Sequence, residues 1–232
     1  MITLQELAVG YRRQPALATL NGCFHQGSLT AIIGANGSGK STLLKTLAGL
    51  LPPLSGTFSL GNSAIGYLPQ LSEFDRQFPI SVRDLVLMGS LPQRGLFRSI
   101  NANWHHRAID ALDAVSMADC ADRHIGILSG GQLQRVLFAR LLLTQAPIIL
   151  LDEPFTGVDS HTTEALLQII KQLHTEGRTI LAVLHDRELV RQHFPTVLQL
   201  ASDGHRWGDA QPILHSLRTT DSTMPALRIV TS

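Results

Sequence analysis

The chain has 232 residues, 44% hydrophobic and 16% charged, a globular composition that excludes a disordered chain. Nineteen basic residues against 18 acidic leave a net charge of +1, which excludes the single-signed field that grips nucleic acid or an anionic membrane surface. The length suits one domain, or one domain with an inserted subdomain, and is ample for a buried core. Cys23 and Cys120 are too few and too far apart for a disulfide framework or a structural zinc site, and read as two reduced thiols. Met1-Ile2-Thr3-Leu4-Gln5-Glu6 has no basic stretch leading into an apolar one, so no secretory leader is expected. Long uncharged stretches such as 46–72 are broken by proline and glycine, so none is expected to span a bilayer.

In chain order, residues 2–11 and 17–26 read as strands joined by a short link through Pro15, an antiparallel pair. Leu29-Thr30-Ala31-Ile32-Ile33 is a short apolar run ending in glycine, the pattern of a buried strand in a parallel sheet. From Lys40 the period changes to helical, with Leu43, Leu44, Leu47 and Leu50 on one face and Pro52-Pro53 as the stop. Residues 57–60 and 64–68 are two more short strands. Ser81 caps a predicted helix carrying Val82, Leu85, Val86 and Met88. A second helix is predicted over 102–117, with Ile109, Leu112, Val115 and Met117 inward, and a third over 131–144. His105 and His106 fall on the second; adjacent helical residues diverge by about 100°, so a solvated face is favoured over a shared metal. Residues 148–151 form a strand, 160–176 a helix stopped by Gly177, and 179–184 a strand. Beyond about Ala210 the pattern fades, and 218–232 read as a loose tail. Alternating apolar strands and helices predict an α/β fold: a mostly parallel sheet with helices on both faces, an N-terminal antiparallel β subdomain, and a helical subdomain inserted at about 81–145. Residues 1–217 are expected to form one domain.

Gly34-Ala35-Asn36-Gly37-Ser38-Gly39-Lys40-Ser41 fits the phosphate-loop pattern GxxxxGK[ST], between a predicted strand and a predicted helix. Glycines let successive backbone N–H groups turn inward on an anion, and the helix start adds its dipole. Lys40 is placed for β- and γ-phosphates, the Ser41 hydroxyl for Mg²⁺, and Thr42 for a further phosphate contact. Asp152 and Glu153 end an apolar strand, where ligands of open parallel sheets bind. Asp152 suits Mg²⁺ shared with Ser41; Glu153, the other way along the pleat, suits a water attacking the γ-phosphate. A strand that simply ends in solvent at two acids is the alternative for that pair taken alone.

Leu128-Ser129-Gly130-Gly131-Gln132 resembles the LSGGQ signature of the ATP-binding cassette (ABC) ATPases. Other elements resemble that family in order. Tyr11 resembles the aromatic that stacks on adenine, Gln70 the glutamine of the Q-loop, Gly157-Val158-Asp159 the D-loop (with Val158 in place of the usual leucine), and His185 the switch histidine. The resemblance covers residues 1 to about 210. It implies a P-loop ATPase that binds ATP with Mg²⁺, with Glu153, His185 and Gln70 catalytic and Ser41, Gln70 and Asp152 around the metal. It also implies a head-to-tail dimer, in which Leu128 to Gln132 of one copy face the ATP of the other.

The run from Gln70 to Gly89, with Phe78-Pro79, Val82, Asp84, Met88 and Gly89, resembles the metal-ion branch of the family, as does Gly95-Leu96-Phe97. That branch implies a peripheral subunit on the cytoplasmic face of the cell membrane. Its partners there are permease subunits and, indirectly, a periplasmic or surface metal-binding protein; nucleic acid is not among them. Phe78, Ile80 and Met88 supply either the permease groove or the core of the helical subdomain. Zinc is the first expectation for cargo and manganese the next; iron chelate or cobalamin, or a soluble ABC-type ATPase outside transport, are the alternatives.

Overall fold

A computed structural model describes residues 1–11, 14–16, 19–95, 99–201 and 204–221. Leu96 and Phe97 therefore lie outside the described residues, as do 222–232. Strand β1 (Ile2–Ala8) is followed by the short pair β2 (Gly10–Tyr11) and β3 (Gln14–Pro15), then β4 (Leu20–Phe24). β1 pairs antiparallel with β4, as the alternation in the sequence predicts, and on its other edge with β6 (Ser55–Ser59). β5 (Leu29–Gly34) leads into α1 (Lys40–Leu47); β7 (Ile65–Leu68), β8 (Ile148–Asp152) and β9 (Thr179–Val183) follow later in the chain. Together with β10 (Thr196–Ala201) and β11 (Gly204–Asp209) they form one sheet in the order β11-β10-β5-β9-β8-β7. All its pairings are parallel except β10 with β11.

Strand alternation divides the core between the two faces of this sheet. Ile32, Leu150, Leu181, Val183 and Leu198 pack with Leu43, Leu44 and Leu47 of α1 and with Leu4, Leu20 and Phe24 of the antiparallel sheet. Ile33, Ile149, Leu151, Ile180 and Ala182 pack on the opposite face. They meet α5 (Gly130–Thr144), α6 (Ser160–Thr175), α7 (Arg187–His193) and α8 (Ala210–Asp221) there. Trp207 of β11 lies against Phe24 with ring centroids 4.3 Å apart, joining the last strand to the antiparallel sheet.

The segment between β7 and β8 is mostly helical. α2 (Val82–Leu87) and α4 (Ala102–Asp113) pack on α5, and α3 (Leu91–Arg94) lies between them in sequence. Ser81 caps α2 by accepting the Asp84 N–H, as its sequence position predicts. α5 also crosses to the sheet and packs on β7, so it belongs to both layers.

Two helix ends differ from expectation, for one reason. α1 closes at Gly49 (φ 74°): the Leu50 N–H returns to the Lys45 carbonyl and the Gly49 N–H to Thr46. The chain leaves the helical path before Leu50, which is 61% exposed rather than part of the core face. α4 closes the same way at Ser116 (φ 55°), with the Met117 N–H on the Leu112 carbonyl, and stops short of 117 although Val115 and Met117 remain buried. α7, β10 and β11 lie in residues for which the sequence pattern predicts no element. α8 continues helical to Asp221, beyond 218 where a tail was expected. Cys23 and Cys120 are half-buried free thiols.

Leu44→Ala, at a side chain with no exposed surface, should cost about 2–5 kcal/mol in urea unfolding, while Leu50→Ala should stay within about 0.5 kcal/mol of wild type. Equal costs would contradict the helix end at Gly49.

Candidate functional site

The carboxyl ends of β5, β7, β8 and β9 all point the same way, and the polar residues singled out in the sequence cluster there. Between β5 and α1 the loop 34–39 turns through glycines with positive φ at 34, 37 and 39. At Gly34 a Cβ would stand 2.4 Å from the Leu200 carbonyl oxygen and 2.6 Å from Ser38 Oγ, so no side chain fits there. Lys40 opens α1 and is buried; its ammonium folds back on the loop, donating to the carbonyls of Gly34 (3.0 Å) and Ala35 (2.8 Å). Burial holds the Lys40 ammonium below the usual lysine range, against the opposing pull of Glu153 and Asp152. The Ser38 hydroxyl is buried in the loop with no hydrogen-bond partner among the described residues.

Asp152, the last residue of β8, has no exposed surface. Ser41 donates to its Oδ1 at 2.9 Å and Tyr67, from β7, to its Oδ2 at 3.4 Å. Gln70 Nε2 is 3.5 Å from the Ser41 oxygen. Desolvation pushes the Asp152 carboxyl above the usual range; the Ser41 bond works in the other direction. Burial, helped by the neighbouring Asp152 charge, raises the Tyr67 phenol.

Glu153 is turned out of the strand by its own backbone, not by pleat alternation: its φ is 51°, in the left-handed region that costs a non-glycine residue roughly 1 kcal/mol or more. Its Oε1 lies 2.7 Å from His185 Nε2, at the end of β9, and its Oε2 accepts from the Thr156 hydroxyl at 3.1 Å. A cleft of about 930 Å³ runs from Tyr11 and Ala16 past Asn36, Gly37, Gly39, Lys40, Ser41 and Thr42 to Gln70, Glu153, Thr156 and His185. Tyr11, 49% exposed, stands at its mouth. Ala35 lies beside it in the loop, exposed.

Two groups of sequence-selected residues, the segment 128–132 and Asp159, are not brought to this cleft. Leu128 to Gln132 do not line it. Ser129 caps α5 and forms a capping box with Gln132: the Gln132 N–H donates to Ser129 Oγ (3.2 Å) and the Ser129 N–H to Gln132 Oε1 (2.9 Å). Leu128 is buried, and its carbonyl accepts from Arg76. Gly130 and Gly131 lie against the Gly157 carbonyl and the Asp159 carboxylate. Asp159 caps α6, and the two bonds it accepts from Thr162 hold its carboxyl below the usual range.

A shallow groove of about 380 Å³ on the far side of β7 is lined by Leu50, Tyr67, Pro69, Met88, Leu137 and Arg140, among others. Met88 thus belongs to a groove, Ile80 to the core, and Phe78 is exposed outside the groove lining. Sequence reasoning missed Tyr67, Thr156 and Ala16. Tyr67 had a signal, a polar hydroxyl at the end of a strand three residues before Gln70; the partners of Thr156 come from contacts that no local pattern announces.

A family model described as ABC transporter matches residues 17–156. The manganese transport system ATP-binding protein MntB of Listeria innocua is 40% identical over 206 residues, which cover 86% of each chain. The zinc transport system ATP-binding protein TroB of Treponema pallidum is 41% identical over 206 residues, 86% of this chain and 77% of its own. Among solved structures, an inward-facing metal-chelate type ABC transporter superposes with a TM-score of 0.84 at 31% identity over 94% of this chain and 87% of that one. An ATP-binding cassette solved as a dimer in a post-hydrolysis state with ADP and Pi gives 0.81 at 26% identity over 91% and 99%. With a family match over more than half its length, and relatives at about 40% identity over most of it, the chain belongs to the ABC transporter family.

Proposed function

We propose that this ATPase energises the import of a divalent transition-metal ion, zinc or manganese, from the cytoplasmic face of the cell membrane. The observation that carries the reading is its nearly equal likeness, over most of its length, to cassettes named for manganese and for zinc transport. No described helix is long and apolar enough to cross a membrane, so the path for the ion is assigned to separate permease subunits, with the groove beside β7 as their docking place.

The phosphates of ATP are assigned to the loop 34–39, whose unpartnered Ser38 hydroxyl fits an anion, and the adenine to Tyr11. Ser41, Asp152 and Gln70 offer hard oxygen donors, and the buried Asp152 charge has no cation within hydrogen-bonding distance among the described residues. That set suits Mg²⁺, which when bound neutralises charge on the β- and γ-phosphates. Lys40 exchanges its loop carbonyls for phosphate oxygens. Glu153 takes a proton from the attacking water while His185, leaving Glu153 Oε1, turns to the γ-phosphate. Ser129 to Gln132 lie outside their own chain's cleft but on a preformed helix start, which supports a second copy that presents them to this ATP. Asp159, packed against Gly131, belongs to the same contact face. Closure of the pair then drives the permease between its two facings, and hydrolysis reopens it.

In cells lacking this protein, high-affinity uptake of radiolabelled zinc or manganese should fall; unchanged uptake of both, with loss of iron-chelate or cobalamin uptake, would overturn the metal assignment. Lys40→Ala should weaken binding of a fluorescent ATP analogue roughly 100-fold. Glu153→Gln should keep that affinity but lower the hydrolysis rate by about 10²–10⁴-fold in a phosphate-release assay; hydrolysis at the wild-type rate would remove Glu153 from its assigned role. For Asp152 the sign follows from its raised carboxyl: above about pH 4 the unfolded chain gives up this proton first, so ligand-free stability falls as pH rises through the folded value. Asp152→Asn should therefore flatten that part of the stability profile and melt no lower than wild type at pH 7. It should also lose the thermal shift that ATP with Mg²⁺ gives the native chain. A lower melting temperature without ligand would contradict the burial cost assigned to this carboxylate.

A further inference from the structure

The conformation of Glu153 poses a mechanical problem. It precedes Pro154, a position that favours extended backbone, yet its φ is 51°. The bonds from Thr156 and His185 hold the Glu153 side chain, and the Thr156 N–H reaches the Glu153 carbonyl at 3.2 Å. What fixes the other side of this turn is a residue from a different layer. Gln134, in the second turn of α5 and 1% exposed, donates its Nε2 to the Pro154 carbonyl at 2.8 Å. Its Oε1 is buried with no partner among the described residues. A polar side chain kept in the interior with half its capacity unused is a costly way to fill space, and leucine or methionine would fill it without that loss. The donor is the part that acts: it satisfies a buried proline carbonyl immediately after the strained residue.

We propose that Gln134 is a positioning residue for Glu153: by holding the Pro154 carbonyl it keeps the Glu153 carboxylate aimed into the cleft. It also makes the aim of that carboxylate depend on the seating of α5. The same helix begins at Ser129, and Gly130 and Gly131 rest against Gly157 and Asp159, so its first two turns touch the segment after β8 at two places. Of these two places, the hydrogen bond from Gln134 to the Pro154 carbonyl is the one next to Glu153, so it is the shorter route by which a load on the Ser129 end of α5 reaches that residue. In the proposed dimer the Ser129 end meets the partner's nucleotide, so each copy would sense occupancy of the opposite site at its own base. This inference rests on the reading of Glu153 as the base.

The test uses the full chain, in a phosphate-release assay with Mg²⁺-ATP and in titration with a fluorescent ATP analogue. Gln134→Met, similar in volume and without the donor, should lower kcat about 10–100-fold and leave the nucleotide affinity within about 2-fold, since Gln134 does not line the cleft. Placed in the Glu153→Gln background, Gln134→Met should add no further loss to the residual rate. Gln134→Glu supplies a donor only while its buried carboxyl is protonated, so its kcat relative to wild type should recover as pH falls from about 8 towards 6. If Gln134→Met does not fold, Gln134→Glu alone carries the test through that pH dependence. Wild-type kcat in Gln134→Met, an equal loss in both backgrounds, or a flat relative pH profile for Gln134→Glu would overturn the proposal. Hydrolysis at the wild-type rate in Glu153→Gln alone would instead remove the reading of Glu153 on which it rests.

Discussion

A carboxylate sealed from water must be satisfied by what surrounds it, and Asp152 meets that demand with hydroxyls rather than with an ammonium or guanidinium. Ser41 ties it to the first turn of α1, and Tyr67 ties it to β7. Because those bonds come from the phosphate loop on one side and the neighbouring strand on the other, they fix three elements of the cleft relative to one another without help from a ligand. Gln70, just beyond β7, is then delivered to the same place by the length of the link alone. The cost is an ionisable group held where it would rather be neutral, a cost that a divalent cation is suited to remove.

The neighbouring carboxylate has the opposite surroundings. Glu153 leaves the strand through a left-handed turn, reaches the cleft wall, and meets a histidine and a threonine hydroxyl there. Two consecutive acids thus occupy a dry and a wetter environment, and on that difference in hydration rests the proposed division into a metal-holding and a proton-accepting task. The division is made by one backbone angle, because the strand ends between the two residues.

What could be read from the sequence follows locality. The loop 34–41, the Ser81 cap and the stop at Gly177 each rest on interactions within a few residues, and each is legible. α1 ends at Gly49, ahead of the stronger stop signal Pro52-Pro53, and α4 ends at a serine, not a glycine, in the left-handed position, so neither end lies where the sequence pattern places it. β11 has few apolar residues and a half-buried pattern, so its only strong anchor, Trp207, looks isolated until Phe24 is placed beneath it. Tyr67, Thr156 and Gln134 find their partners only through folding: a hydroxyl across two strands, a hydroxyl across a tight turn, and an amide 20 positions away.

The contact of Trp207 with Phe24 has a consequence for how the molecule is made. A ribosome releases the antiparallel sheet early, but Phe24 lacks its aromatic cover until residues near 207 have emerged. β5 likewise waits for β9 and β10, both synthesised more than a hundred residues later. The N-terminal third is therefore made before the strands that complete its sheet, and its unpaired edges stay open until residues near 207 have emerged.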